Sequence, residues 1–152
     1  MSLIRPLLDG LNKNFSLNIP VEQYLAVHEQ MCSTKERHHL KQYLPNKPHK
    51  WSFNFFILCG VSGYAYNIEM YSGQKNADKN RLANESDLGA SANVVRLVII
   101  IPRNVNHRIY FDNYYTSIPL LVYLAKQGIH NLGTVRRNGI RNCKLPDEKS
   151  MK

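Results

Sequence analysis

Cysteine is scarce in this chain and poorly spaced for structural use: Cys32, Cys59 and Cys143 form an odd set without a C-x-x-C pair. That pattern signals neither a disulfide framework nor a zinc finger, and it fits a reducing compartment. Long apolar runs are missing as well. The most apolar stretch, VVRLVIII at 94–101, contains Arg96 and falls far below the roughly 18–20 residues that cross a bilayer. No membrane helix is expected. The opening MSLIRPLLDG lacks the basic region and long apolar core of a secretory leader. Acidic residues are few, with 11 Asp+Glu against 20 Lys+Arg, and the resulting charge of +9 favours polyanions over an acidic small molecule. No internal repeat is visible, and 152 residues suit one domain with a hydrophobic core.

What is present reads as an α/β or α+β succession. Leu7, Leu8, Leu11 and Phe15 recur at helical spacing, predicting a short amphipathic helix after Pro6 that ends before Pro20. Residues 21–29 read as a buried strand. From Trp51 the period changes to two: Trp51, Phe53, Phe55, Ile57 and Cys59 share one face, Gly60-Val61-Ser62-Gly63 makes a turn, and Tyr64, Tyr66, Ile68 and Met70 return. This is a β-hairpin. Residues 72–91 are polar and predict a long exposed loop. Residues 93–101 carry a conflict, because β-branched density favours a strand whereas Ser91 offers an N-cap and Pro102 a stop. Residues 109–112 form a short apolar run. Thr116-Ser117-Ile118-Pro119 then starts a helix that Gly128 ends, and residues 130–135 make a final strand.

Residues 32–50 carry Arg37, His38, His39, Lys41, Lys47, His49 and Lys50, interrupted by Pro45 and Pro48, and read as a basic irregular arm. Cations interleaved with Tyr43 and running into Trp51 suit phosphate contacts and base or sugar stacking, although the same aromatics would equally serve to pack against a sheet.

Asp112, in YFDNYYTS, ends a buried strand directly before a helix start. In open α/β sheets ligands bind at such positions, yet an aspartate there also caps the turn into the helix. A second strand, YLAVHEQ at 24–30, ends in His28 and Glu29. Alternation along a strand sends these two to opposite faces. If residue 28 faces the Asp112 site, the ligand there is an imidazole, which suits zinc, copper or iron better than magnesium.

The segments HHLKQYLPNKPHKW and IPRNVNHRIYFDNYYTSIPLLVYLAKQGIHNLGTVRRN resemble the catalytic core of piggyBac-type transposases and piggyBac element-derived proteins. The resemblance runs from about Ile4 to the end of the chain, in collinear order. It implies an RNase H-like mixed sheet with flanking helices, in which aspartates bind two divalent ions, Mg²⁺ or Mn²⁺, and DNA is cut and joined in the nucleus. It also implies that residues 93–101 form the helix between the third and fourth strands. Residues 1–20 would be a helical lead-in, 21–135 the core, and 136–152 a basic tail, with the end of the family core lying beyond Lys152.

Under that resemblance Asp112 matches the family's second catalytic and metal-binding aspartate. His28 stands at the position of the first, and the third lies past Lys152. The expectation is therefore a transposase-derived domain without catalysis that keeps DNA affinity through Arg37, Lys41, Lys47, Lys50, Arg136 and Arg137. Alternatives are a fragment of an active cut-and-paste transposase and a protein-interaction scaffold. A core that continues past Lys152 leaves apolar faces uncovered, which predicts marginal stability or self-association.

Overall fold

The structure is a computed structural model that describes residues 4–45, 47–71 and 92–135, together with 144 and 146. The expected loop at 72–91 and basic tail at 136–152, including Arg136 and Arg137, lie essentially outside the described residues. One mixed sheet organises the rest. Its strands are β1 (Tyr24–Ser33), β2 (Gln42–Tyr43), β3 (Trp51–Gly60), β4 (Ala65–Met70), β5 (Arg108–Phe111) and β6 (His130–Gly133). β3 pairs antiparallel with β1 on one edge and with β2 and β4 on its other neighbours, while β5 and β6 run parallel to β1. The helices are α1 (Ile4–Asn18), α2 (Ala92–Leu97), extended by a 3₁₀ turn at Val98–Ile100, and α3 (Ile118–Lys126). None of the described helices is long and apolar enough to cross a membrane.

The hairpin forms as its period predicts, with Gly63 at φ +84° closing the turn. The face it buries most deeply is the other one. Phe56 and Leu58 are fully buried, and so are the polar Ser52 and Asn54, whereas Trp51 is 52% exposed. The even positions face a core shared with Leu25, Val27, Val94, Leu97, Ile109, Leu120 and Leu124. The odd positions meet a smaller cluster, in which Phe53, Phe55 and Ile68 pack on Leu8, Leu40 and Met70. β4 departs from simple alternation because a register shift between Leu58 and Cys59 inserts one residue, and Tyr66 enters the main core.

Residues 93–101 resolve as helix because Val94, Val95, Leu97, Val98 and Ile101 are all buried together, a spacing that a strand could not present to one core. Asn67 Nδ2 then donates to the Leu97 and Arg96 carbonyls at 3.1 and 3.4 Å, satisfying the helix end from the neighbouring strand. Glu69 joins the layers by accepting from Arg5 at 2.8 Å and Arg96 at 3.2 Å.

Several boundaries differ from the sequence expectation: β5 stops at Phe111, one residue before Asp112, and β6 at Gly133 rather than at residue 135. α1 begins at Ile4, ahead of Pro6, since first-turn N–H groups have no intrahelical partner for proline to remove; Leu7, expected on its apolar face, is 64% exposed. β1 starts at Tyr24 and reaches Ser33, because β3 supplies partners as far as Ser52. Before it, Pro20 and Glu22 are tied instead to the Tyr66 hydroxyl.

α3 is built from local signals. Ser117 caps it by accepting from the Leu120 N–H at 3.3 Å, and Pro119 occupies the first turn. Gly128, at φ +70°, turns the chain where a Cβ would meet Asn104 Oδ1 at 2.0 Å. Replacing Ser117 with alanine is expected to cost about 1 kcal/mol, read as a lowered urea midpoint at unchanged slope. An unchanged midpoint would show that the cap contributes nothing.

Candidate functional site

Val27 and Phe111 are the last residues paired between β1 and β5. β5 stops there while β1 continues to Ser33, so among the described residues β1 has no strand partner on that side beyond Val27. His28, on β1, and Asp112, just past the end of β5, are the next residues. Both line a cavity of about 260 Å³, together with Ala26, Glu29, Tyr110 and Thr134. Sheet pairing thus brings together two positions 84 residues apart in the chain.

The surrounding bonds define what this cavity can hold. Asp112 Oδ1 accepts from the Tyr114 N–H at 2.9 Å, and the Asp112 carbonyl accepts from Thr116 Oγ1 at 2.7 Å. The residue is therefore a turn cap as well as a cavity wall. Glu29 lies opposite Phe56 and His28 opposite Ile57, so their side chains take opposite faces as alternation requires. The Glu29 carboxylate accepts from Asn54 Nδ2 and pairs with Lys47 Nζ at 3.5 Å. Glu29 is nevertheless among the residues that line the cavity. Burial raises the pKa of the Tyr115 phenol, and the Glu29 and Asp112 charges raise it further. Tyr114 is raised in the same way, by burial first and then by Tyr71, Glu29 and Asp112. Both phenols stay neutral beside the carboxylates.

A pair of divalent cations does not fit this donor set. Such ions take several hard oxygen ligands converging from separate elements. Here one position is an imidazole, and the Glu29 carboxylate is already engaged by an amide and an ammonium. Among the described residues there is no group of three His, Cys, Asp or Glu side chains able to hold a metal ion.

The basic arm forms a second concavity at the far end of β1 and β3. β2 pairs Gln42 with Ser52 and Tyr43 with Trp51, which anchors the arm to the sheet. Leu44 N–H donates to the Lys50 carbonyl at 2.8 Å, and Lys47 N–H to the Leu44 carbonyl at 3.1 Å. The result is a groove of about 690 Å³ whose wall includes Thr34, Lys35, Lys41, His49, Lys50 and Trp51. Of the cations singled out from sequence, Lys41 and Lys50 line the groove, Arg37 is exposed on the arm, and Lys47 is paired with Glu29. Lys35 was not foreseen, because it precedes the dense basic run and only the return of β3 places it beside Lys50. Partial desolvation and the adjacent His39, 4.3 Å away ring to ring, lower the His38 pKa, so His38 adds little positive charge near neutral pH.

A parallel β1–β5–β6 set continued by an antiparallel β1–β3–β4 set, with helices packed on the sheet, defines an RNase H-like domain. The family model described as Transposase IS4 matches residues 1–152, and the chain belongs to that transposase family, as a piggyBac-type, transposase-derived protein. Human PiggyBac transposable element-derived protein 2 is 31% identical over 98% of this chain. Human PiggyBac transposable element-derived protein 3 is 29% identical over 99% of it. The cryo-EM structure of a piggyBac transposase synaptic complex with hairpin DNA superposes with a TM-score of 0.76 at 26% identity, over 94% of this chain and 28% of that one. The chain spans 25% of the length of both human relatives.

Proposed function

We propose that this chain is a transposase-derived domain that binds DNA through its basic arm and does not itself cut or join DNA. The observation that carries the reading is the β1–β5 register, which sets an imidazole at position 28 beside Asp112. In the family this chain resembles, positions 28 and 112 are those of paired catalytic aspartates. With histidine at 28, the site lacks both an oxygen ligand and a negative charge that would offset divalent cations.

DNA affinity is the property left to the remaining residues. Lys35, Lys41, Lys50 and the exposed Arg37 stand on one arm, in a chain with charge +9. Phosphate contacts of this kind hold a duplex without reading its sequence. The likeness to a transposase solved with hairpin DNA supports DNA as the polyanion, and the match to transposase-derived relatives favours the nucleus as the place of action.

Fluorescence anisotropy on a labelled duplex tests the binding. Four cations meeting phosphates release counterions steeply enough to weaken binding on the order of a hundredfold between about 50 and about 200 mM KCl. Replacing Lys35 and Lys50 by alanine should roughly halve that slope on log–log axes. Binding that is indifferent to salt, or absent, overturns the reading and leaves the arm as a surface for a protein partner.

A further inference from the structure

Resting on the DNA-binding reading, we infer that the groove beside Trp51 takes an unpaired nucleotide, so the chain prefers single-stranded over fully paired DNA. Two large rings stand exposed beside the cations of the groove, Trp51 at 52% and Tyr43 at 50%. They are directly opposite on β3 and β2, with ring centroids 4.9 Å apart and planes inclined at 52°. Cross-strand pairing sets the two rings side by side before any ligand arrives, and an aromatic side chain has only two χ angles to lose on stacking.

Charge sits where a stacked nucleotide needs it. Lys41 Nζ lies 5.5 Å from the Trp51 ring centroid and is held there by donating to the Glu36 carbonyl at 3.0 Å. Lys35 and Lys50 line the same groove. A base lying against the exposed indole therefore carries its flanking phosphates toward ammonium groups. This is the pairing of π-surface and cation that single-strand binders use. In a paired duplex the base faces are covered by their neighbours, and the rings have nothing to stack on. Thr34 strengthens the platform, since its N–H donates to the Trp51 carbonyl at 3.4 Å and ties the arm to the root of the strand.

Trp51 is the one tryptophan of the chain, so its emission reports this surface alone. The test titrates the whole chain with an oligothymidylate of about 12 nucleotides, with a backbone of the same length lacking bases, and with a duplex of equal length. Oligothymidylate should quench Trp51 emission and bind roughly tenfold or more tightly than the abasic strand. Read by anisotropy of labelled nucleic acids, since neither variant keeps a tryptophan, the ratio of oligothymidylate to duplex affinity should fall on the order of tenfold in Trp51→Ala and recover largely in Trp51→Phe. The abasic comparison uses the unaltered chain, so it stands whether or not a variant folds.

Equal affinity for abasic and base-bearing strands, or binding without quenching, overturns the stacking inference; a steep salt dependence then preserves the phosphate-binding reading. Failure of all three nucleic acids to bind overturns both.

Discussion

Replacing Phe56 with alanine is expected to lower stability by about 3–5 kcal/mol, a large part of the roughly 5–15 kcal/mol available to a domain. Phe56 is fully buried in β3, the strand that touches β1, β2 and β4. Its ring meets Tyr115 edge-on at 5.4 Å and Tyr71 at 5.7 Å. The truncation removes transfer energy and leaves a cavity between the sheet and the turn that follows Asp112, so the loss reaches the candidate site as well. Urea unfolding followed by circular dichroism reads the change, with Leu7→Ala as the contrasting variant: Leu7 is 64% exposed and its loss should stay within about 0.5 kcal/mol. A Phe56→Ala midpoint matching that of Leu7→Ala would mean that β3 does not lie in the packed core.

The second large effect concerns the carboxylate site. The 152-residue chain is expected to give no Mg²⁺- or Mn²⁺-dependent nicking of supercoiled plasmid above the level of an Asp112→Ala control. Two divalent cations bring four positive charges to a cavity where Glu29 is already paired with Lys47 and bonded to Asn54, and Asp112, capping its turn through the Tyr114 N–H, is the other carboxylate of the lining. His28→Asp adds an oxygen ligand and a negative charge at the position that sheet pairing sets beside Asp112. Mn²⁺ affinity should then rise on the order of tenfold or more, because a unit charge close to the ion contributes about that much even when water screens it. The gain should vanish in His28→Asp/Asp112→Ala. Nicking by the unaltered chain that Asp112→Ala abolishes would refute the inactive reading, and an unchanged Mn²⁺ affinity in His28→Asp would show that the two positions do not share a site.

Much of the fold was legible because its signals are local. The four-residue turn at Gly60–Gly63, the Ser117 cap, Pro119 and Gly128 act through their own backbone conformations, and each stands where the pattern put it. The deeper face of β3 was not legible. Its even positions begin with Ser52 and Asn54, and a polar residue at a core position misleads any count of apolar alternation. Asn54 is tolerated there because Glu29, on the neighbouring strand, accepts its amide N–H. Parity in β4 was likewise hidden by the register shift that admits Tyr66 to the core.

By itself, then, the amino-acid sequence determined the charge of +9, the hairpin, the strand-to-helix turn at Asp112, and the histidine that ends the apolar run of YLAVHEQ. Those depend on residue identity and on neighbours a few positions away. The tertiary structure gave positions 28 and 112, which only the resemblance had linked, a common cavity, and it alone decided that Lys47 is held by Glu29 and that Lys35, Lys41, Lys50 and Trp51 surround one groove. Each of these depends on how segments distant in sequence are brought together by the pairing of β1 with β3 and β5, and a register of β1 displaced by one residue would turn His28 and Glu29 to the opposite faces.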